Sequence, residues 1–252
     1  RRGPGGMPFF DALFTATSAS CVTGLTVVQI GSYFTFFGQI VILLLIQVGG
    51  LGFMTMSTIL FGMTKRKISL YERITMAQNL GESRLQGAVK LTRTALFVTL
   101  AAEGAGVLLL APRFIRSYGF LRGLWYSIFH SVSAFCNAGF DLVGGNRSLV
   151  DFSGDSYLLC VLMALIIMGG LGFAVIINIW QKRRFKHFRL HTKLVLIGTV
   201  VLIIVGAFLF LILEYNNPAT LGGMSFGHKI VNALFQSVTL RTAGFASIDQ
   251  YA

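Results

Sequence analysis

Four stretches of the chain are free, or nearly free, of charge over the thickness of a bilayer: residues 34–64, 94–112, 156–181 and 194–213. Each has roughly the 17–25 residues that carry a helix across a ~30 Å hydrocarbon core at 1.5 Å per residue. Composition agrees, with 12% of residues charged and 54% hydrophobic, about half the charged share of an ordinary soluble domain. The chain is read as an all-α, polytopic membrane protein. Arg1-Arg2 runs straight into Gly and Pro instead of an apolar segment, so no signal peptide is read there and the expectation is a chain already under way.

The remaining charges are unevenly placed. Thirteen of the 21 Lys and Arg residues fall in two short connections. Lys65, Arg66, Lys67, Arg73, Arg84, Lys90 and Arg93 occupy the first; Lys182, Arg183, Arg184, Lys186, Arg189 and Lys193 occupy the second. Basic connections between apolar spans mark the cytoplasmic side, and two spans separate this pair, as same-side placement requires. The net charge of +12 therefore reads as a topology signal, with lipid or partner binding as the lesser reading, and not as a nucleic-acid surface. Cys21, Cys136 and Cys160 show neither metal-ligand spacing nor an even disulfide framework.

This orientation leaves three segments on the outer side, 9–28, 124–143 and 231–248, each with an apolar stretch too short to span. They read FFDALFTATSASCVTGLTVV, GLWYSIFHSVSAFCNAGFDL and VNALFQSVTLRTAGFAS. All three begin apolar, turn rich in Ser and Thr, and end on a small residue, Gly and a large apolar residue. Gly24 and Gly139 each lie ten residues after a Phe (24−14; 139−129), and Gly244 lies nine after Phe235 (244−235), so the third copy lacks one position. The inward runs share Gly49-Gly50-Leu51-Gly52-Phe53 and Gly169-Gly170-Leu171-Gly172-Phe173, and the outward runs share Gly104-Ala105 and Gly206-Ala207. The predicted fold is thus a set of repeated units, each a helix, a re-entrant pore helix, a filter loop and a helix, around a central ion pore. Internal repeats of this kind place the functional site near the pseudo-symmetry axis.

Extended backbone at membrane depth is tolerated where it lines a watery cavity, and there carbonyl oxygens can replace the hydration shell of a cation. Gly admits the left-handed conformation that such a strand needs. Thr23 and Thr242 offer hydroxyl oxygens, and no Asp or Glu lies in the four residues ending at any of the three glycines. That favours a monovalent cation over the carboxylate cages that hold calcium.

These residues resemble the Trk/Ktr/HKT superfamily of potassium transporters, most closely the bacterial Ktr-type membrane subunit. The resemblance rests on VTGL, NAGF and TAGF after apolar helices, with GGLGF in the inner helices, and covers nearly the whole chain. It implies potassium uptake through filter strands Val22-Thr23-Gly24-Leu25, Asn137-Ala138-Gly139-Phe140 and Thr242-Ala243-Gly244-Phe245. It also implies a homodimer in the bacterial cell membrane on a cytosolic nucleotide-binding regulatory ring, no cofactor, K+ as the transported ion and Na+ as a candidate activator. A sodium-permeable or non-selective channel of the same architecture is the alternative. In the plant members, Ser in the first loop goes with sodium preference.

The expected divisions are 1–64 (first pore loop and inner helix), 65–93 (connection), 94–181 (second repeat), 182–193 (connection) and 194–252 (outer helix and pore loop of the third repeat). The family implies four repeats, so the sequence is expected to be a fragment from about the middle of the family's chain, and not a selective pore alone.

Other residues carry structural readings. Glu103 at mid-span is read as a brace, not a proton relay. Arg241, directly before the third strand, would repel a cation if it faced one, so it is read as a brace toward Glu103, Asp141 or Glu214. His130 is read as packed, the paired glycines as helix-packing contacts, and Ser69–Glu72 as a capping box. An intramembrane enzyme is the remote alternative: the chain has no Gly-x-Ser-x-Gly elbow, and its aspartates fall outside or at the edges of the spans.

Overall fold

Residues with positive φ stand at or just beyond the ends of several helices in this chain. The computed structural model describes residues 7–52, 88–143 and 148–249. Helices α1 (Phe9–Cys21), α2 (Ile30–Tyr33) and α3 (Phe36–Leu51) come first, followed by α4 (Ala88–Tyr118) and α5 (Phe120–Phe135). After a 3₁₀ turn at Val150–Phe152 come α6 (Ser156–Gly170) and α7 (Phe173–Lys182). A second 3₁₀ turn at Phe185–His187 leads to α8 (Leu190–Glu214) and α9 (Phe226–Thr242). No strand occurs among the described residues.

The caps follow local chemistry. At the end of α1, Val22 takes φ 57°; its N–H reaches Ala19 O and the Thr23 N–H reaches Ser18 O. At the end of α5, Asn137 takes φ 58°, and the N–H groups of Asn137 and Ala138 bond Ala134 O and Ser133 O. Both are Schellman closures, which satisfy carbonyls a helix end leaves bare. Asn enters this conformation readily, whereas β-branched Val22 is strained there. The start of α6 is capped by Asp155, whose carboxylate accepts the Leu158 N–H at 3.2 Å and pairs with Arg113 at 3.3 Å.

Among the described residues, two helices are long and apolar enough to cross a membrane, Thr94–Tyr118 within α4 and Leu190–Glu214, at 25 residues each. The run 156–181, expected as one inward span, is instead broken: α6 and α7 meet at 95°. The cause is Gly172, whose φ 82° and ψ 147° end any helix. Gly52 ends α3 with φ 77° and ψ 147°. The rest of the run 34–64, the first basic connection up to residue 87 and the Ser69–Glu72 box lie outside the described residues.

Two buried clusters hold the helices together. Phe114, Leu158, Leu162, Phe235 and Phe245 belong to one, built from α4, α6 and α9. Ile42, Ile46, Phe129 and Phe140 belong to the other, around α3. Helix α5 lies between them, sending Phe129 and Val132 into the second cluster and Ala134 and Phe135 into the first. The paired glycines sit where helices come closest, as read from sequence. A Cβ on Gly49 would collide with Ser20 O, one on Gly169 with Phe135 O, and one on Gly50 with Cys136 Sγ. The outward match needs correcting. Gly206 lies against Ser237 and Gly106 against Ser131, whereas Gly104 faces open space, so Gly106 and not Gly104 is the counterpart of Gly206.

A methyl group at position 169 has no room, because the atom it meets is backbone. Gly169→Ala is expected to lower stability by about 1–3 kcal/mol. Gly198→Ala on α8, where nothing lies within 4 Å, should be neutral or stabilising by about 0.5–1 kcal/mol. Thermal unfolding in detergent separates the two.

Candidate functional site

The three loop glycines come together. Gly24, Gly139 and Gly244 have φ of 77°, 69° and 75°. A Cβ on Gly24 would lie 2.6 Å from Ala138 O and 3.4 Å from Gly139 Cα. One on Gly139 would collide with Ala243 O and lie 3.1 Å from Gly244 Cα. Three backbones, each more than a hundred residues from the next, therefore pack directly on one another, in chain order. They line one cavity of about 510 Å³, shared with Asp141 and Asp249.

The loops are held from behind by buried side chains. Ser133 Oγ donates to Phe140 O at 2.7 Å, and Phe140 and Phe245 are fully buried. His130 has its Nδ1 2.8 Å from Tyr126 O and stacks on Phe114, with ring centres 4.8 Å apart. It is a packed histidine. Leu25, in contrast, is 62% exposed, so the first loop lacks the apolar anchor that the other two have.

The structure adds local detail at several of the expected residues. The strand Thr242-Ala243-Gly244-Phe245 is not extended throughout: Thr242 is the last residue of α9, and Ala243 still has helical angles of φ −90° and ψ −29°. With one position fewer, this loop has no left-handed residue at the place of Val22 and Asn137, and Gly244 alone turns the chain. The hydroxyls read as ion ligands have protein partners. Thr23 Oγ1 lies 2.7 Å from Ser18 Oγ, and Thr242 Oγ1 donates to Asn137 Oδ1 at 3.0 Å.

Among the described residues no ion pair joins Arg241 to Glu103, Asp141 or Glu214, and each of these has other partners. Glu103 receives Gln47 Nε2 at 3.3 Å and Cys136 Sγ at 3.8 Å. Asp141 is bonded by the Val143 backbone and the Ser148 side chain. Glu214 receives Asn217 and Thr220. The Arg241 guanidinium instead lies beside Gly170, 3.6 Å from where a Cβ would stand. Glu103, 5% exposed, links α3 through Gln47 to the end of α5 through Cys136.

Among the described residues, no three His, Cys, Asp or Glu side chains gather as a metal cluster. The cavity lining combines the three loop glycines with the carboxylates Asp141 and Asp249. Burial pushes the Asp141 carboxyl up to about 7, and its two hydrogen bonds pull partly the other way. Sequence reasoning did not assign Asp141, Asp249 or Ser133 to the site. The nearest signal is register: Asp141 and Asp249 follow the loop glycines by two and five residues (141−139; 249−244).

A family described as TrkH, cation transport protein, matches residues 6–251. The chain is 44% identical over 243 residues to Ktr system potassium uptake protein B of Bacillus subtilis, covering 96% of this chain and 54% of the relative. It is 44% identical over 241 residues to the potassium/sodium uptake protein NtpJ of Enterococcus hirae, covering 96% and 53%. To Ktr system potassium uptake protein B of Vibrio alginolyticus it is 42% identical over 246 residues, covering 97% and 54%. The chain spans about half the length of these relatives.

Two outcomes follow from the site's geometry. Ser133→Ala strips the buried Phe140 carbonyl of its donor, at a cost of about 1–3 kcal/mol, and hydrogen exchange at Ala138–Asp141 should rise while exchange in α8 stays unchanged. The folded Asp141 carboxyl keeps its proton to a higher pH than the unfolded one, so its burial costs stability as pH rises from about 4 to about 7. Asp141→Asn should flatten that part of a plot of thermal midpoint against pH.

Proposed function

The chain belongs to the TrkH cation transport protein family, and we propose that it is part of a membrane-embedded potassium uptake subunit whose loop carbonyls form the path for K+. The observation that carries this reading is the direct packing of Gly24, Gly139 and Gly244 in left-handed conformation around one cavity. Three successive backbones turned at equivalent places can offer several carbonyl oxygens to one desolvated cation. The Thr23 and Thr242 hydroxyls each have a side-chain partner but keep lone pairs, so they can add to the main-chain carbonyls around the ion. Asp141 and Asp249 line the same cavity, and when ionised they attract cations to it.

Equal offsets support the repeated pore-helix architecture. Gly49 meets Ser20 and Gly169 meets Phe135, each four residues before its loop glycine (24−20; 139−135). Gly50 meets Cys136 and Gly170 meets Arg241, each three residues before the next loop glycine (139−136; 244−241). Ser131 donates to Glu103 O and Ser237 to Ile203 O, in each case three residues before the helix glycine that the serine touches (106−103; 206−203). One plan repeated accounts for all six contacts.

In this reading the filter loops face outward and the basic connections face the cytoplasm of a bacterial cell. The membrane subunit pairs with a second copy and rests on a cytosolic regulatory ring, with Na+ as an activator. A path shared with sodium is the second reading, favoured by the Enterococcus relative, which is named a potassium/sodium uptake protein. All three relatives are named as uptake proteins, which favours transport over the intramembrane enzyme.

Gly24→Ser tests the filter directly. Its Cβ would lie 2.6 Å from Ala138 O on a backbone at φ 77°, so the strand must move and re-aim its carbonyls. Rubidium uptake by the full-length protein in vesicles, with sodium varied, should show selectivity shifted toward sodium by about tenfold or more, for a change of roughly 1.4 kcal/mol. An unchanged ratio would overturn the filter reading.

A further inference from the structure

The turn between α7 and α8, read so far mainly for its sidedness, carries a basic and aromatic surface. Lys182, Arg183, Arg184 and Lys186 are all exposed, and no acidic residue occurs in the chain between Asp155 and Glu214. Apolar side chains are interleaved with these charges: Trp180 is 60% exposed, Phe185 52% and Leu190 72%. The segment is held in shape. Arg183 closes α7 in the left-handed region with its N–H on Ile179 O, and the Arg189 N–H donates to Asn178 Oδ1 at 3.2 Å. Lys193 Nζ donates to Lys186 O at 3.1 Å and lies 5.8 Å from the centre of the Phe185 ring.

Position in the fold says what this surface meets. It joins a helix turned by 95° from α6 to the first residue of the 25-residue apolar helix α8. Charges there stand at the level where hydrocarbon gives way to headgroups, and Trp and Phe side chains among them are suited to that boundary. We propose that Lys182, Arg183, Arg184 and Lys186, with Trp180 and Phe185, form a binding surface for anionic phospholipid headgroups. The cations pair with the lipid phosphate while the aromatic rings enter the acyl boundary. Each basic side chain near an anionic surface strengthens attachment roughly fivefold. The proposal rests on the membrane placement of these helices, but not on which ion passes or how.

The test uses the full-length protein in neutral detergent, titrated with short-chain phosphatidylglycerol or phosphatidylcholine and read by native mass spectrometry. Wild type should bind phosphatidylglycerol well above phosphatidylcholine. R183Q/R184Q/K186Q should lose about a hundredfold of that preference, whereas R183K/R184K keeps it. An unchanged thermal midpoint in the first variant, with the charge-preserving variant beside it, separates lost binding from lost fold. Millimolar inorganic phosphate should not displace the lipid, because phosphate lacks the acyl chain that the aromatic residues receive. Equal lipid binding by wild type and R183Q/R184Q/K186Q would overturn the proposal. So would displacement by phosphate, or loss in the variant of a co-purifying soluble protein with lipid binding intact. Rubidium selectivity, which tests the filter, is a separate readout, so the two readings fail independently.

Discussion

A helix that ends inside an apolar environment leaves main-chain carbonyls and amides with no water to satisfy them, and the rest of this structure depends on how those groups are met. Each unsatisfied group costs several kcal/mol in hydrocarbon. Helices α1 and α5 answer with the same closure, two N–H groups folded back onto Ser18 and Ala19 or onto Ser133 and Ala134. The left-handed residue each closure requires then throws the chain sideways toward the other loops. Closing the helix and presenting the loop are one event.

Side chains buried behind the loops keep that geometry in place. Ser133 holds Phe140 O, Ser131 ties α5 to α4, and Ser237 ties α9 to α8. These serines bond main-chain carbonyls on neighbouring elements while remaining buried, which is why the short helices are rich in Ser on otherwise apolar faces. The glycines opposite them let the backbones come close enough for dispersion and hydrogen bonding, which draw helices together where water cannot.

Much of this was legible in the sequence because spans and loops carry strong local signals. Charge-free length marked α4 and α8, and the spacing of Gly24, Gly139 and Gly244 marked the loops that meet. What escaped depends on contacts or on single torsions. Gly104 and Gly106 both lie in an apolar helix, and only the place of Ser131 decides that Gly106 faces it. Charge alone suggests a carboxylate for Arg241, and only the packing shows its guanidinium beside Gly170. The deletion in the third copy was visible as a count, but that it keeps Thr242 helical follows from where α9 stops. The break in the run 156–181 was hidden because hydropathy is blind to φ.

Gly52 and Gly172 share φ near +80° and ψ 147°, with nothing within 4 Å of either. Their intolerance of other residues is therefore a matter of chirality and not of room. A larger neighbour cannot be trimmed to admit an L side chain, nor a smaller one enlarged to reward it, because no neighbour takes part. Only an achiral residue enters this torsion at little cost. The 95° elbow after α6 is thus fixed by the handedness of amino acids at one atom, and compensating substitutions elsewhere in the core have no contact through which to act.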